Sequence, residues 1–230
     1  MVALLLISGC ALLHKRLPYR DPDRLVTVVK VTPAGEEPVL DTDILELREQ
    51  SRTLGQIAAY VPRHVSLTDG GDSERISATL TSADLFSSLG VAPMLGRAII
   101  SDECHPGANH VAVVGYNIWQ RKFGGDPSLI GRTVTLDKEK YTIVGVMPKG
   151  FQFPEDCDMW LPLALEDQSL RLNDKGFRFE VIARLNPSFT LQQAQDEMVV
   201  IASKLERDHP ESNSGRGIKL TLLSESRSQK

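Results

Sequence analysis

Residues 178–223 read RFEVIARLNPSFTLQQAQDEMVVIASKLERDHPESNSGRGIKLTLL. Arg178 to Leu185 alternates, with Phe179, Val181, Ala183 and Leu185 on one face. A period of two belongs to a half-buried strand. Thr190-x-x-Gln193 then has the form of a capping box, in which each side chain satisfies an orphan N–H of the other residue at a helix start. Behind it Leu191, Ala194, Met198, Ile201, Ala202 and Leu205 form one apolar stripe at helical spacing. His209-Pro210 ends that helix, because proline cannot continue it. Ile218 to Leu223 reads as a closing strand.

The same order of elements occurs near the other end. Leu25 to Val31 is a short β-branched strand buried on much of both faces, and Thr32-Pro33-Ala34-Gly35 breaks it. Asp43-x-x-Glu46 offers an N-cap with an acidic partner for a helix that turns Ile44 and Leu47 inward. Leu54 to Thr68 reads as a second strand, broken or bulged near Pro62. After the turn Asp69-Gly70-Gly71-Asp72, Glu74 to Ser82 alternates as a third strand. Ser82 caps a short helix carrying Leu85, Phe86 and Leu89, and Gly90 stops it. Residues 97–166 differ in texture and hold both tryptophans and many glycines. There Val111 to Val114 is a strand, Tyr116 to Phe123 a helix, and Thr133 to Leu136 with Tyr141 to Val146 a hairpin. The fold class is therefore α+β: a split ferredoxin-like sandwich with an inserted β-rich lobe.

Composition narrows the function. The chain has 230 residues, 41% hydrophobic and 24% charged, which excludes disorder and a many-span membrane protein. A net charge of −4 supplies no basic field to draw nucleic acid. Three cysteines are too few for a disulfide scaffold. Met1 to Leu13 is an uncharged run of 13 residues, against the roughly 20 a bilayer-crossing helix needs. It fits best as the last turns of a membrane helix. A lipoprotein signal ending on Cys10 and a soluble start are the alternatives. Lys15, Arg16 and Arg20 follow it and suit a membrane boundary, or equally a plain solvated one.

No phosphate-cradling loop, dinucleotide fingerprint, zinc-helix motif or nucleophile elbow occurs, so neither a catalytic residue nor a cofactor is expected. The pairs Asp21/Asp23, Asp41/Asp43 and Asp156/Asp158 read as turn and cap formers. Cys104, His105 and His110 are the only cluster of metal-ligand types, and their spacing lacks a fourth ligand. No metal site is assigned. Trp119 and Trp160 read as core.

Several segments, in order, carry a family resemblance. They are Leu17-Pro18-Tyr19-Arg20-Asp21-Pro22-Asp23-Arg24-Leu25-Val26, Phe86-Ser87-Ser88-Leu89-Gly90-Val91 and Pro93-Met94-Leu95-Gly96-Arg97. Val111-Ala112-Val113-Val114 and Trp119-Gln120-Arg121-Lys122-Phe123-Gly124-Gly125-Asp126-Pro127 follow. Then come Ile130-Gly131-Arg132, Leu136-Asp137, Tyr141-Thr142-Ile143-Val144-Gly145-Val146-Met147-Pro148, Leu191-x-x-Ala194-Gln195 and His209-Pro210-Glu211-Ser212-Asn213. Together they resemble the MacB-like periplasmic core domain of ABC transporter permeases, of the large duplicated, acidobacterial type. The resemblance implies a non-enzymatic domain on the extracytoplasmic side of a cell membrane. Its partners would be the permease's membrane helices, a separate ATP-binding subunit, and an outer partner or cargo that it couples to ATP-driven motion.

The implied division is a membrane helix or anchor at 1–17 and a porter-like subdomain at 18–96. A β-rich lobe follows at 97–166, then the porter-like second half at 167–226 and a tail at 227–230. Relative to the family the chain reads as a fragment at both ends, unable to transport alone. A lipid-anchored or secreted stand-alone binding protein is the alternative. For an exported domain, a disulfide between Cys104 and Cys157, both in loops of the lobe, is one reading, since the compartment is oxidising; two unpaired thiols are the favoured one.

Overall fold

The computed structural model describes residues 17–69, 71–165 and 178–226. The chain enters through a 3₁₀ turn, Pro22–Arg24, into β1 (Leu25–Thr32). β2 (Gly35–Glu37), β3 (Val39–Leu40), α1 (Asp41–Gln50), β4 (Ala58–Asp69), β5 (Asp72–Thr81) and α2 (Asp84–Leu89) follow. The middle holds β6 (Leu95–Gly96), β7 (Val111–Val114), α3 (Tyr116–Phe123), β8 (Thr133–Leu136), β9 (Glu139–Val146) and β10 (Met159–Pro162). Last come β11 (Arg178–Arg184), α4 (Leu191–Asp208), α5 (Pro210–Asn213), β12 (Gly217–Leu222) and α6 (Leu223–Ser226).

One hydrogen-bonded path runs β12-β1-β11-β4-β5-β10-β7-β9-β6. Its first four strands, with α1 and α4, have the strand order and βαβ-type connections of a ferredoxin-like sandwich, confirming the α+β class. β11 is central, antiparallel to β1 through Leu25↔Arg184 and to β4 through Tyr60↔Glu180. The strands of residues 97–166 continue the same path. β10 runs parallel to β5, and β8 adds to the far end of β4.

Two cores flank the sheet. On the helix side Phe179, Val181, Ala183 and Leu185 meet the α4 stripe of Ala194, Met198, Ile201, Ala202 and Leu205, with Ile44 and Leu47 of α1 beside them. The alternation and the helical stripe thus bury the faces their periods specify. The Thr190–Gln193 capping box is formed, with Gln193 N donating to Thr190 Oγ1 at 3.2 Å and Thr190 N to Gln193 Oε1 at 2.9 Å. On the opposite side Leu25, Ala58 and Ile182 lie under α2 and an aromatic group of Tyr19, Phe86, Phe151, Phe153 and Trp160.

Several local expectations change. Asp43 is not a cap: α1 begins at Asp41 after an extended Leu40, and Asp43 is fully buried inside the first turn. Its Oδ2 lies 3.0 Å from the ammonium of Lys30, itself buried, and its Oδ1 accepts from Asn213 Nδ2 at 3.2 Å. Lys30 also donates to Asn213 Oδ1, so β1, α1 and α5 share one buried polar trio. Ser82 does not cap α2; its Oγ accepts from Ala59 N at 3.1 Å and ties β4 to the end of β5. β4 starts at Ala58, not Leu54, and passes Pro62 without a break, pairing it with Thr79. At Pro62 the other edge of β4 is open, past the β11 pairing that ends at Tyr60 and before the β8 pairing that starts at Leu67, so on that side the missing N–H costs no ladder bond. The β8–β9 turn is tighter than read: Asp137 and Lys138 alone make it, at φ 48° and 76°.

Candidate functional site

The stretch that leads into β1, and α6, which follows β12, are the first and last described parts of the chain. Asp21, at φ 42°, bends the lead-in so that Pro22 opens the 3₁₀ turn, where its fixed φ suits a first helical position. α6 packs against that turn and against β1. Entrance and exit therefore lie side by side at one end of the sandwich.

The lead-in is held on three sides. Tyr19 is buried edge-on against Phe151 and Phe153, with centroids at 6.4 and 6.1 Å. Arg20 N donates to Leu89 O at 3.2 Å, at the end of α2. Gly90 there, at φ 69°, permits the approach: a Cβ on it would stand 2.5 Å from Arg20 Cβ. Arg184 forms the third contact. It is 8% exposed, and its guanidinium donates to Ser88 O at 2.8 Å, Asp21 O at 3.2 Å and Arg20 O at 2.6 Å. Burial, with the nearby charges of Arg20 and Arg24, moves its pKa below the ordinary arginine value. Arg184 remains charged, since an arginine side chain cannot shed its proton in a protein. Arg24 answers in the other direction, donating to Leu185 O at 3.1 Å and to Asn186 O, while Leu185 N donates to Arg24 O at 2.8 Å. The planar fork of arginine suits this bridging of carbonyls from separate segments.

The sequence reading did not single out Arg184. It lies on the polar phase of the Arg178–Leu185 alternation, which implies solvent; a second layer contributed by the lead-in and α2 covers it. Of the proposed membrane-boundary residues, Arg20 is exposed and sits in this junction beside Asp21, 3.9 Å away. Lys15 and Arg16 lie outside the described residues, as does Cys10.

Cys104 and Cys157 are free thiols and form no disulfide here. Cys157 is buried, its sulfur 3.2 Å from both Thr79 Oγ1 and Met159 O, either of which can accept its one S–H; burial pushes its pKa up to about 12. Cys104 donates to Ile100 O at 3.7 Å and is likewise pushed up by burial. Cys157 also borders a cavity of about 240 Å³ at the start of α3, with Asn117, Gln152, Asp156 and Asp158 around it. Burial raises the Asp158 pKa, and its carboxylate accepts from Ser77 N at 3.2 Å. A protonated thiol beside an engaged carboxylate is not an activated nucleophile. Trp119 and Trp160 are core residues whose indoles donate to Asp126 O and Phe153 O at 2.9 and 2.7 Å. Among the described residues no helix is long and apolar enough to cross a membrane.

The MacB-like periplasmic core domain family matches this chain over residues 2–201. Among solved structures the chain is similar to the periplasmic region of MacB from Actinobacillus actinomycetemcomitans. Identity is 14% and TM-score 0.66, over 90% of this chain and 91% of that one. It is also similar to the extracellular domain of the noncanonic ABC-type transporter YknZ from Gram-positive bacteria, at 13% identity and TM-score 0.62, over 85% of this chain and 99% of that one. At such identities the likeness is one of fold. No curated protein matches.

Proposed function

The chain belongs to the MacB-like periplasmic core domain family, and from that premise we propose that it couples ATP-driven motion of an ABC-type permease to an outer partner or cargo. The observation that carries this reading is the junction. Entrance and exit are adjacent, and Arg184 and Arg24 bind the lead-in to β11 and α2. A lead-in clamped by charged donors to the central strand delivers its displacement to the whole sandwich; a loose linker would absorb it. In this reading residues 18–96 and 167–226 form the body next to the membrane, and residues 97–166 form the lobe that meets the partner or cargo. The ATP-binding subunit and the remaining membrane helices are separate parts of the assembly, and this domain performs no chemistry of its own.

Two measurements test it. A cysteine placed at exposed Lys138 should react with a membrane-impermeant maleimide in intact cells, against a parallel sample without the added cysteine. Reaction only after permeabilisation would overturn the extracytoplasmic placement. In the assembled transporter Arg184→Gln should lower transport while ATP hydrolysis persists; unchanged transport would refute coupling through the clamp.

A further inference from the structure

β12 is the outermost strand of the sheet, and among the described residues no strand pairs with its outer edge. The sequence there, Ile218-Lys219-Leu220-Thr221-Leu222, is β-prone with a single charge. Such an edge is a template for another chain. It is nevertheless occupied. Gln195 on α4 donates from Nε2 to Ile218 O at 2.8 Å and accepts at Oε1 from Leu220 N at 2.9 Å. These backbone groups flank Lys219, and an antiparallel neighbouring strand centred opposite Lys219 would engage the same pair. Ala194, with no exposed surface, lets α4 run close over the sheet so that the next side chain reaches the edge.

We propose that Gln195 is a built-in guard of the β12 edge, and that the partner it excludes is the β12 edge of a second copy of this chain. Each edge presents both a donor, Leu220 N, and an acceptor, Ile218 O. Two such edges related by a two-fold axis are therefore self-complementary. The carboxamide of Gln195 holds both groups within one molecule. The inference is independent of the transport reading.

The test uses the full chain in solution. In the wild type the Leu220 amide should exchange with deuterium slowly, although it points away from β1, because Gln195 accepts its hydrogen. Gln195→Leu removes donor and acceptor together and should give a concentration-dependent dimer by sedimentation, where the wild type stays monomeric. Gln195→Lys also loses the acceptor but sets a charge at the edge, and should remain monomeric. A monomeric leucine variant would overturn the proposal. So would equal association of both variants, which would place the contact on the helix surface instead. If the leucine variant does not fold, the wild-type Leu220 amide decides: exchange as fast as that of an exposed loop amide overturns the guard.

Discussion

Lys30→Met removes one member of the buried trio and leaves the Asp43 carboxylate without its cation. Both side chains of the pair are essentially inaccessible, at 1% and 0%, with the charged atoms 3.0 Å apart. At an effective dielectric near 20 the lost attraction is about 5 kcal/mol. Methionine restores the apolar stem of lysine, so packing changes little, yet Asp43 keeps its desolvation and Asn213 Oδ1 loses its donor. Breaking a buried pair from one side costs about 3–5 kcal/mol. For a chain of this size that lowers the melting temperature by about 6–20 °C. The double variant Lys30→Met with Asp43→Leu removes both charges and should recover most of the loss, since two apolar side chains carry no desolvation penalty. Denaturant and thermal unfolding of wild type, both single variants and the double complete the cycle. A Lys30→Met chain within about 1 kcal/mol of wild type would refute the reasoning. A double variant no more stable than the single would do the same.

Other consequences are open to measurement. Lys138→Gly should stabilise the chain by about 1 kcal/mol in denaturant unfolding, because Lys138 sits at φ 76° in a two-residue turn that favours glycine. Burial works to raise the Glu197 pKa, but hydrogen bonds from Thr53, Arg52 N and Ser51 outweigh it and hold the pKa below the usual carboxylate value. A depressed folded-state pKa means the stabilisation is present above the unfolded-state pKa and is lost as pH falls through the folded one. Glu197→Gln should therefore flatten the acid limb of stability against pH, and an unchanged limb would exclude Glu197 as a contributor. Under native conditions iodoacetamide should modify Cys104 well before Cys157, which is buried and whose pKa burial pushes up to about 12; equal rates in the folded chain would contradict that burial.

Periodic segments were legible because their signal is local. The Arg178–Leu185 alternation and the α4 stripe each face the core they specify. β10 was not legible: Met159 to Pro162 is four residues ending in proline, and only pairing to β5 and β7 makes it a strand. Asp43 ahead of an apolar helix reads as a cap, since nothing nearby in sequence announces Lys30 or Asn213. The junction was half legible: Arg20 was singled out as a boundary residue, but Arg184 was hidden by its polar phase. Three residues quoted only as parts of the family resemblance gain physical roles. Asn213 bridges the buried ion pair, and Gln195 occupies the β12 edge. At Gly145 a Cβ would stand 2.2 Å from Arg97 O, so no larger residue fits without moving that backbone.

The central position of β11 also bears on how the chain is made. β1 and β4 leave the ribosome early with a strand-wide gap between them, and the segment that fills it begins only at Arg178. At ordinary rates of synthesis the gap lasts roughly 5–20 s beyond Asp69. Through that interval the apolar groups that will face β11 have no mate, and closing the sheet then joins residues far apart along the polypeptide, the kind of contact that slows folding. Assembly of the sandwich therefore waits until Arg178–Arg184 has been made. A nascent chain stalled before Arg178 should be the form most open to chaperone capture or to strand exchange with its neighbours on a polysome.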